Sequence, residues 1–147
     1  MCTIYNKVIL IDDDKVINHL NKITIIKFLR PHPIDIIEFQ NAELGFSYIA
    51  GMDKCLRTST VLFLDLNMPI LNGWEFLEKL DKFSFRNPLT MDIYVLTSSI
   101  DPADKVRAKG YFLVKDFISK PLSNHIGKIF TLNKETQQQN VFVETKK

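Results

Sequence analysis

Three runs of four consecutive apolar residues, at 8–11 (VILI), 61–64 (VLFL) and 93–96 (IYVL), constrain this chain more than any other feature. Each is too short for a helix, apolar at every position, and stopped by a polar residue. Strands that are apolar throughout are those buried on both faces, which requires a parallel sheet covered by helices on either side. Two further candidates, 34–39 (IDIIEF) and 116–119 (DFIS), mix apolar residues with Asp, Glu and Ser, as edge strands with less complete cover do. The expectation is three inner strands and two outer ones.

The segments between these runs have helical spacing of apolar residues: Val16, Leu20 and Ile23; Ala42, Phe46, Ile49 and Ala50; Trp74, Leu77 and Leu80; Ala103 and Val106; Leu122, Ile126, Ile129 and Phe130. Strand and helix therefore alternate five times. That order predicts an α/β fold, a doubly wound, flavodoxin-like (βα)5 unit with a five-stranded parallel sheet of order 2-1-3-4-5 and right-handed crossovers. Pro31 and Pro33 should close the first helix, Pro69 and Gly73 bracket a loop, and Asp101-Pro102 open the fourth helix. The stretch 81–91 (DKFSFRNPLTM) makes a long connection between the third helix and fourth strand, and the sequence assigns it no role.

At 147 residues the chain is sized for one domain, and 46% hydrophobic with 24% charged residues is the balance of an ordinary globular protein. The domain is expected over residues 1–132. From 133 to 147 the chain is polar, a tail too short for an output domain, although Val141 and Val143 leave it able to dock. No apolar run approaches the roughly 18 residues of a membrane span. The run at 8–11 passes straight into Asp12, Asp13 and Asp14, unlike a secretory leader, so a cytoplasmic protein is expected. Cys2 and Cys55, without CxxC spacing, read as reduced thiols, and a net charge of +2 offers no footprint for nucleic acid.

In an open α/β sheet, ligands bind beyond the carboxyl ends of the strands, where the winding direction switches. The first strand delivers Asp12, Asp13 and Asp14 to that end, the third Asp65, the fourth Thr97 and the fifth Lys120. Taken singly, each has an ordinary structural explanation: an Asp triplet before a helix caps it, and a lone Asp or Lys at a strand end is solvated. Together they suit phosphoryl transfer. Crowded carboxylates stay ionised when a cation sits among them, and hard oxygen donors select Mg²⁺, with Asp12 and Asp13 holding the ion and Asp65 bridging. A carboxylate such as Asp65 can attack phosphorus once the equatorial oxygens are neutralised, a task for Mg²⁺, the Lys120 ammonium and the Thr97 hydroxyl.

IDDD at 11–14, LDLNMP at 64–69, LTSS at 96–99 and ISKP at 118–121 resemble the four signatures of response-regulator receiver domains, over about residues 7–132. The resemblance implies that Asp65 is the phosphorylated aspartate and that Asp12 and Asp13 are the acidic pair, with Asp12 ligating directly or through water. It also implies that the backbone carbonyl of Asn67 completes a Mg²⁺ site, that Thr97 is the switch hydroxyl, and that Lys120 pairs with the phosphoryl group. A cis Lys120-Pro121 bond is expected, as is general in the family. The aromatic switch position is Phe117, where many receivers carry Tyr, so coupling there would rest on packing rather than on a hydroxyl.

The implied function is a stand-alone signalling switch, not an enzyme beyond slow self-dephosphorylation. Its expected partners are a histidine kinase or histidine phosphotransfer protein and a downstream protein target, with no nucleic acid and no membrane, as a monomer or weak dimer. A haloacid-dehalogenase-like phosphatase also uses an aspartate after an apolar strand, but wants a second Asp two residues on, where this chain has Asn67. A degenerate receiver acting only as a binding module conflicts with the presence of Asp65, Thr97 and Lys120.

Overall fold

A computed structural model describes residues 5–53 and 59–130. Its strands are β1 (Lys7–Ile11), β2 (Asp35–Phe39), β3 (Thr60–Leu64), β4 (Asp92–Thr97) and β5 (Val114–Ser119). They pair in parallel in the order β2-β1-β3-β4-β5, the topology expected from the alternation of runs. β3 is buried along its whole length, β1 and β4 at all but their first residue, and β2 and β5 only in part. The apolar runs are thus the inner strands.

Alternate residues of the inner strands feed two separate cores, as a period of two requires. Ile9, Ile11, Leu62, Leu64, Ile93 and Val95 pack on one face with helices α2 (Ala42–Ala50), α3 (Gly73–Arg86) and α4 (Pro102–Lys109). Val8, Leu10, Val61, Phe63, Tyr94 and Leu96 pack on the other with α1 (Lys15–Leu29) and with Leu122, Ile126, Ile129 and Phe130. The last four lie in a short 3-10 turn (Leu122–Asn124) and the helical residues 126–130 that follow. The bonds Lys120-Pro121 and Arg30-Pro31 are both cis. No helix among the described residues is long and apolar enough to cross a membrane.

Four readings of the sequence need correction. The face assigned to α1 is the wrong one: Val16 and Leu20 are 65% and 56% exposed, while Asn18, Asn21, Ile25 and Leu29 are buried. The physical reason is that α1 begins over the open ends of β1 and β2, where backbone carbonyls need donors; Asn18 supplies them and the aliphatic residues cannot. In α4, Val106 and Ala103 are exposed and Ala108 is the buried residue, because this eight-residue helix lies along the sheet margin. The connection at 81–91 is half helix: α3 runs on to Arg86, with Phe83 edge-on to Phe46 of α2. β5 begins at Val114, two residues before the expected start, where Val114 pairs with Ile93. Cys2, Cys55, the expected boundary at 132 and the tail at 133–147 lie outside the described residues.

Candidate functional site

The carboxyl ends of β1, β3 and β5 bring Asp12, Asp13, Asp65 and Lys120 to one place, and Thr97 at the end of β4 joins them through its backbone carbonyl. The Asp triplet divides its labour. Asp14 is the N-cap of α1, its carboxylate accepting from the backbone N–H of Val16 and Ile17. Asp12 and Asp13 are thereby free of capping. Asp12, Asp13 and Asp65 each place a carboxylate oxygen within 4.8 Å of the others. Asp12 and Asp65 are buried and Asp13 is exposed at the mouth. An all-oxygen, acidic donor set of this kind fits a hard divalent ion such as Mg²⁺.

Lys120, from the end of β5, bridges the two buried acids: its Nζ lies 2.8 Å from Asp12 Oδ2 and 3.3 Å from Asp65 Oδ1. Its backbone N–H donates to the carbonyl of Thr97 at 2.9 Å, which ties the ends of β5 and β4 together. Burial works against the charged form of Lys120, but the bonds and charges of Asp12 and then Asp65 outweigh it and hold the ammonium above the ordinary lysine range. For Asp65, burial and then the charge of Asp12 raise the carboxyl above its ordinary value; Lys120 and a backbone hydrogen bond from Asn67 offset this only in part. Asp65 is therefore a crowded, incompletely compensated acid, the condition in which an added positive charge is most strongly attracted.

Thr97 is fully buried, and its hydroxyl accepts from the backbone N–H of Ser99 at 3.1 Å. Phe117 is half-buried against the α2/α3/α4 core. Asn67 is exposed, one residue beyond buried Leu66.

Two contributors were missed in the sequence. Gly73 opens α3 with its Cα against the strand end: a Cβ there would sit 2.6 Å from the Asp65 carbonyl oxygen and 2.7 Å from the Leu66 Cα. Both are backbone atoms and neither has room to yield. Only the helix start was legible, in the capping box that Asn72 and Glu75 form around this glycine; the close approach itself was not. Gly73→Ala should cost about 1–3 kcal/mol, the usual scale of overpacking, read as a lowered urea midpoint with unchanged slope. An unchanged midpoint would mean the approach is looser than described. The second missed residue is Asn18, which bonds the Asp12 carbonyl; the signal was a helical face shared with Ile25 and Leu29.

A family model described as the response regulator receiver domain matches residues 8–128. Among solved structures, a two-component response regulator from Cytophaga hutchinsonii is 27% identical, with 88% of this chain and 96% of that chain covered at a TM-score of 0.71. A response regulator receiver protein from Dyadobacter fermentans is 21% identical, with 88% and 95% covered at 0.73. A chain of the co-crystal structure of the Saccharomyces cerevisiae histidine phosphotransfer signalling protein Ypd1 with the receiver domain of its downstream response regulator Ssk1 is 20% identical, with 89% and 90% covered at 0.70. Comparison with curated protein sequences finds no match.

Proposed function

The chain belongs to the response-regulator receiver family, and from that premise we propose that it accepts a phosphoryl group on Asp65 from a phosphohistidine donor and signals by protein contact. The observation that carries the reading is the Lys120 bridge, which holds a buried nucleophilic carboxylate beside a second acid and a cation at the strand ends. An Asp65 carboxylate oxygen attacks phosphorus in line, the P–N bond to the donor imidazole breaks with its electron pair left on nitrogen, and an acyl phosphate remains. Lys120 moves from the Asp65 carboxylate to an equatorial phosphoryl oxygen without leaving Asp12. Asp13 and Asp65, the Asn67 carbonyl, and Asp12 directly or through water would hold Mg²⁺, which when bound neutralises charge on the transferring group.

Thr97 supplies the switch. Its hydroxyl accepts from the Ser99 N–H and keeps its own O–H to donate, so a bond from it to a phosphoryl oxygen would draw the loop after β4 inward with it. Phe117, lacking a hydroxyl, would follow that movement by packing alone. The donor is a histidine kinase or a histidine phosphotransfer protein, the class that the Ssk1 receiver domain meets in its complex with Ypd1. A groove of about 320 Å³ beside Lys120, lined by Ile17, Leu20, Asn21 and Pro121, offers that donor a seat and gives the outward-facing Leu20 a use. Action in the cytoplasm, without catalysis beyond slow loss of its own phosphoryl group, completes the reading.

Acetyl phosphate with Mg²⁺ tests it directly. One phosphoryl adduct per chain should form, map to the peptide containing Asp65, and fail to form when the metal is chelated before the donor is added. An adduct on another residue, or equal labelling without divalent metal, would remove the basis for the reading.

A further inference from the structure

Asn18 is 1% exposed, on a helix face otherwise given to Ile25 and Leu29. Its Nδ2 donates to the carbonyl of Asp12 at 3.0 Å and to that of Phe39 at 3.1 Å, while its Oδ1 meets no donor among the described residues. A buried acceptor without a donor is destabilising. If the position served packing alone, an aliphatic residue would serve it better, so what asparagine contributes is the pair of N–H groups aimed at the ends of β1 and β2.

The Asp12 carbonyl is one half of the planar peptide unit that joins Asp12 to Asp13. Everything else about Asp12 is already held: its N–H donates to the Phe39 carbonyl at 3.1 Å, its Oδ1 accepts from the Asp14 N–H at 2.9 Å, and its Oδ2 meets Lys120 at 2.8 Å. The orientation of the Asp12–Asp13 peptide is what Asn18 adds. We infer that Asn18 is a positioning residue for the acid pair, fixing that peptide plane so that Asp12 stays buried under Lys120 while Asp13 projects to the mouth. This rests on the reading of Asp12 and Asp13 as magnesium ligands. Groups one layer behind a metal's ligands set how well those ligands are organised before the ion arrives, and losing one weakens binding on the order of 10-fold or more.

Asn18→Leu removes both donors while keeping the branched four-atom shape, and Asn18→Ala removes them without added bulk should the leucine variant fail to fold. Leu29→Ala, on the same face but remote in sequence from the acids, is the control for a merely loosened helix. Two measurements separate the possibilities: the Asp13 amide resonance in metal-free protein, and the Mg²⁺ dissociation constant by titration of the folded protein. The Asn18 variants should shift or broaden the Asp13 amide and bind Mg²⁺ about 10-fold more weakly. Leu29→Ala should lower the melting temperature and change neither. Asn18 variants that bind Mg²⁺ within about twofold of wild type would overturn the inference, as would a Leu29→Ala variant that loses as much affinity. If the wild-type protein itself binds no Mg²⁺, the metal reading falls, and the Asp13 amide alone decides whether Asn18 orients the pair.

Discussion

Asp65→Asn should abolish phosphorylation from every donor and, in the same protein, raise thermal stability. The first effect is chemical: an amide oxygen cannot form the acyl phosphate, so labelling with acetyl phosphate and Mg²⁺ should fall to background. The second follows from the crowding around Asp65, whose carboxyl is held above its ordinary value of 3.8 by burial and by Asp12. An acid with a raised folded-state pKa binds more protons folded than unfolded, so its ionisation subtracts stability as pH rises. That penalty is complete above the folded pKa and fades as pH falls through it toward 3.8. Asn carries no charge and escapes the penalty, while Lys120 keeps its closer partner, Asp12. At neutral pH the variant should gain about 1 kcal/mol, or roughly 3 °C in melting temperature. The gap should close on acidification. A variant less stable than wild type at pH 7 would mean that the Lys120 attraction outweighs burial and repulsion at this site.

The inner strands could be read because four consecutive apolar residues have one comfortable environment, between two helical layers, and strand order followed from the alternation. Asp12, Asp13, Asp65, Thr97 and Lys120 could be placed together because strand ends in this topology share one edge. Asn67 and Phe117 came with the motifs rather than from any physical pattern. Helix faces were harder. Val16, Leu20 and Val106 satisfied helical spacing and yet point to solvent, because the faces of α1 and α4 are chosen by what lies beneath them. Under the start of α1 lie the strand-end carbonyls, and a polar residue wins a buried position there. An apolar moment contains no term for such a carbonyl. Gly73 escaped for a similar reason: its value lies in the 2.6 Å that a Cβ would leave to the Asp65 carbonyl, a distance that exists only after β3 and α3 have met.

Lys120→Met should produce the largest loss of stability of any single change at the site, and Mg²⁺ should reverse much of it. The substitution keeps the aliphatic stem and removes the ammonium from between Asp12 and Asp65, whose side chains are only 5% and 6% exposed. Removing one partner of a buried ion pair strands the other, at about 3–5 kcal/mol. In metal-free buffer at neutral pH the variant should lose about that much unfolding free energy. Acid should shrink the difference, because a proton on Asp65 relieves the repulsion that the ammonium had balanced. Alkali should shrink it from the other side: the folded-state pKa of Lys120 is raised above 10.5, so the wild type enjoys its stabilisation fully below 10.5 and loses it as pH climbs through the folded value. Between those limits the gap is widest. Mg²⁺ enters the same balance as a second positive charge, stabilising whichever protein binds it in the folded state, and it should stabilise Lys120→Met more than wild type because there it meets no competing cation. Denaturant unfolding of both proteins with and without millimolar Mg²⁺ reads all of this in one experiment. Equal Mg²⁺ gains in the two proteins would show that the ion and the ammonium do not share a charge deficit, and the acid cluster would then not be the site at which the metal acts.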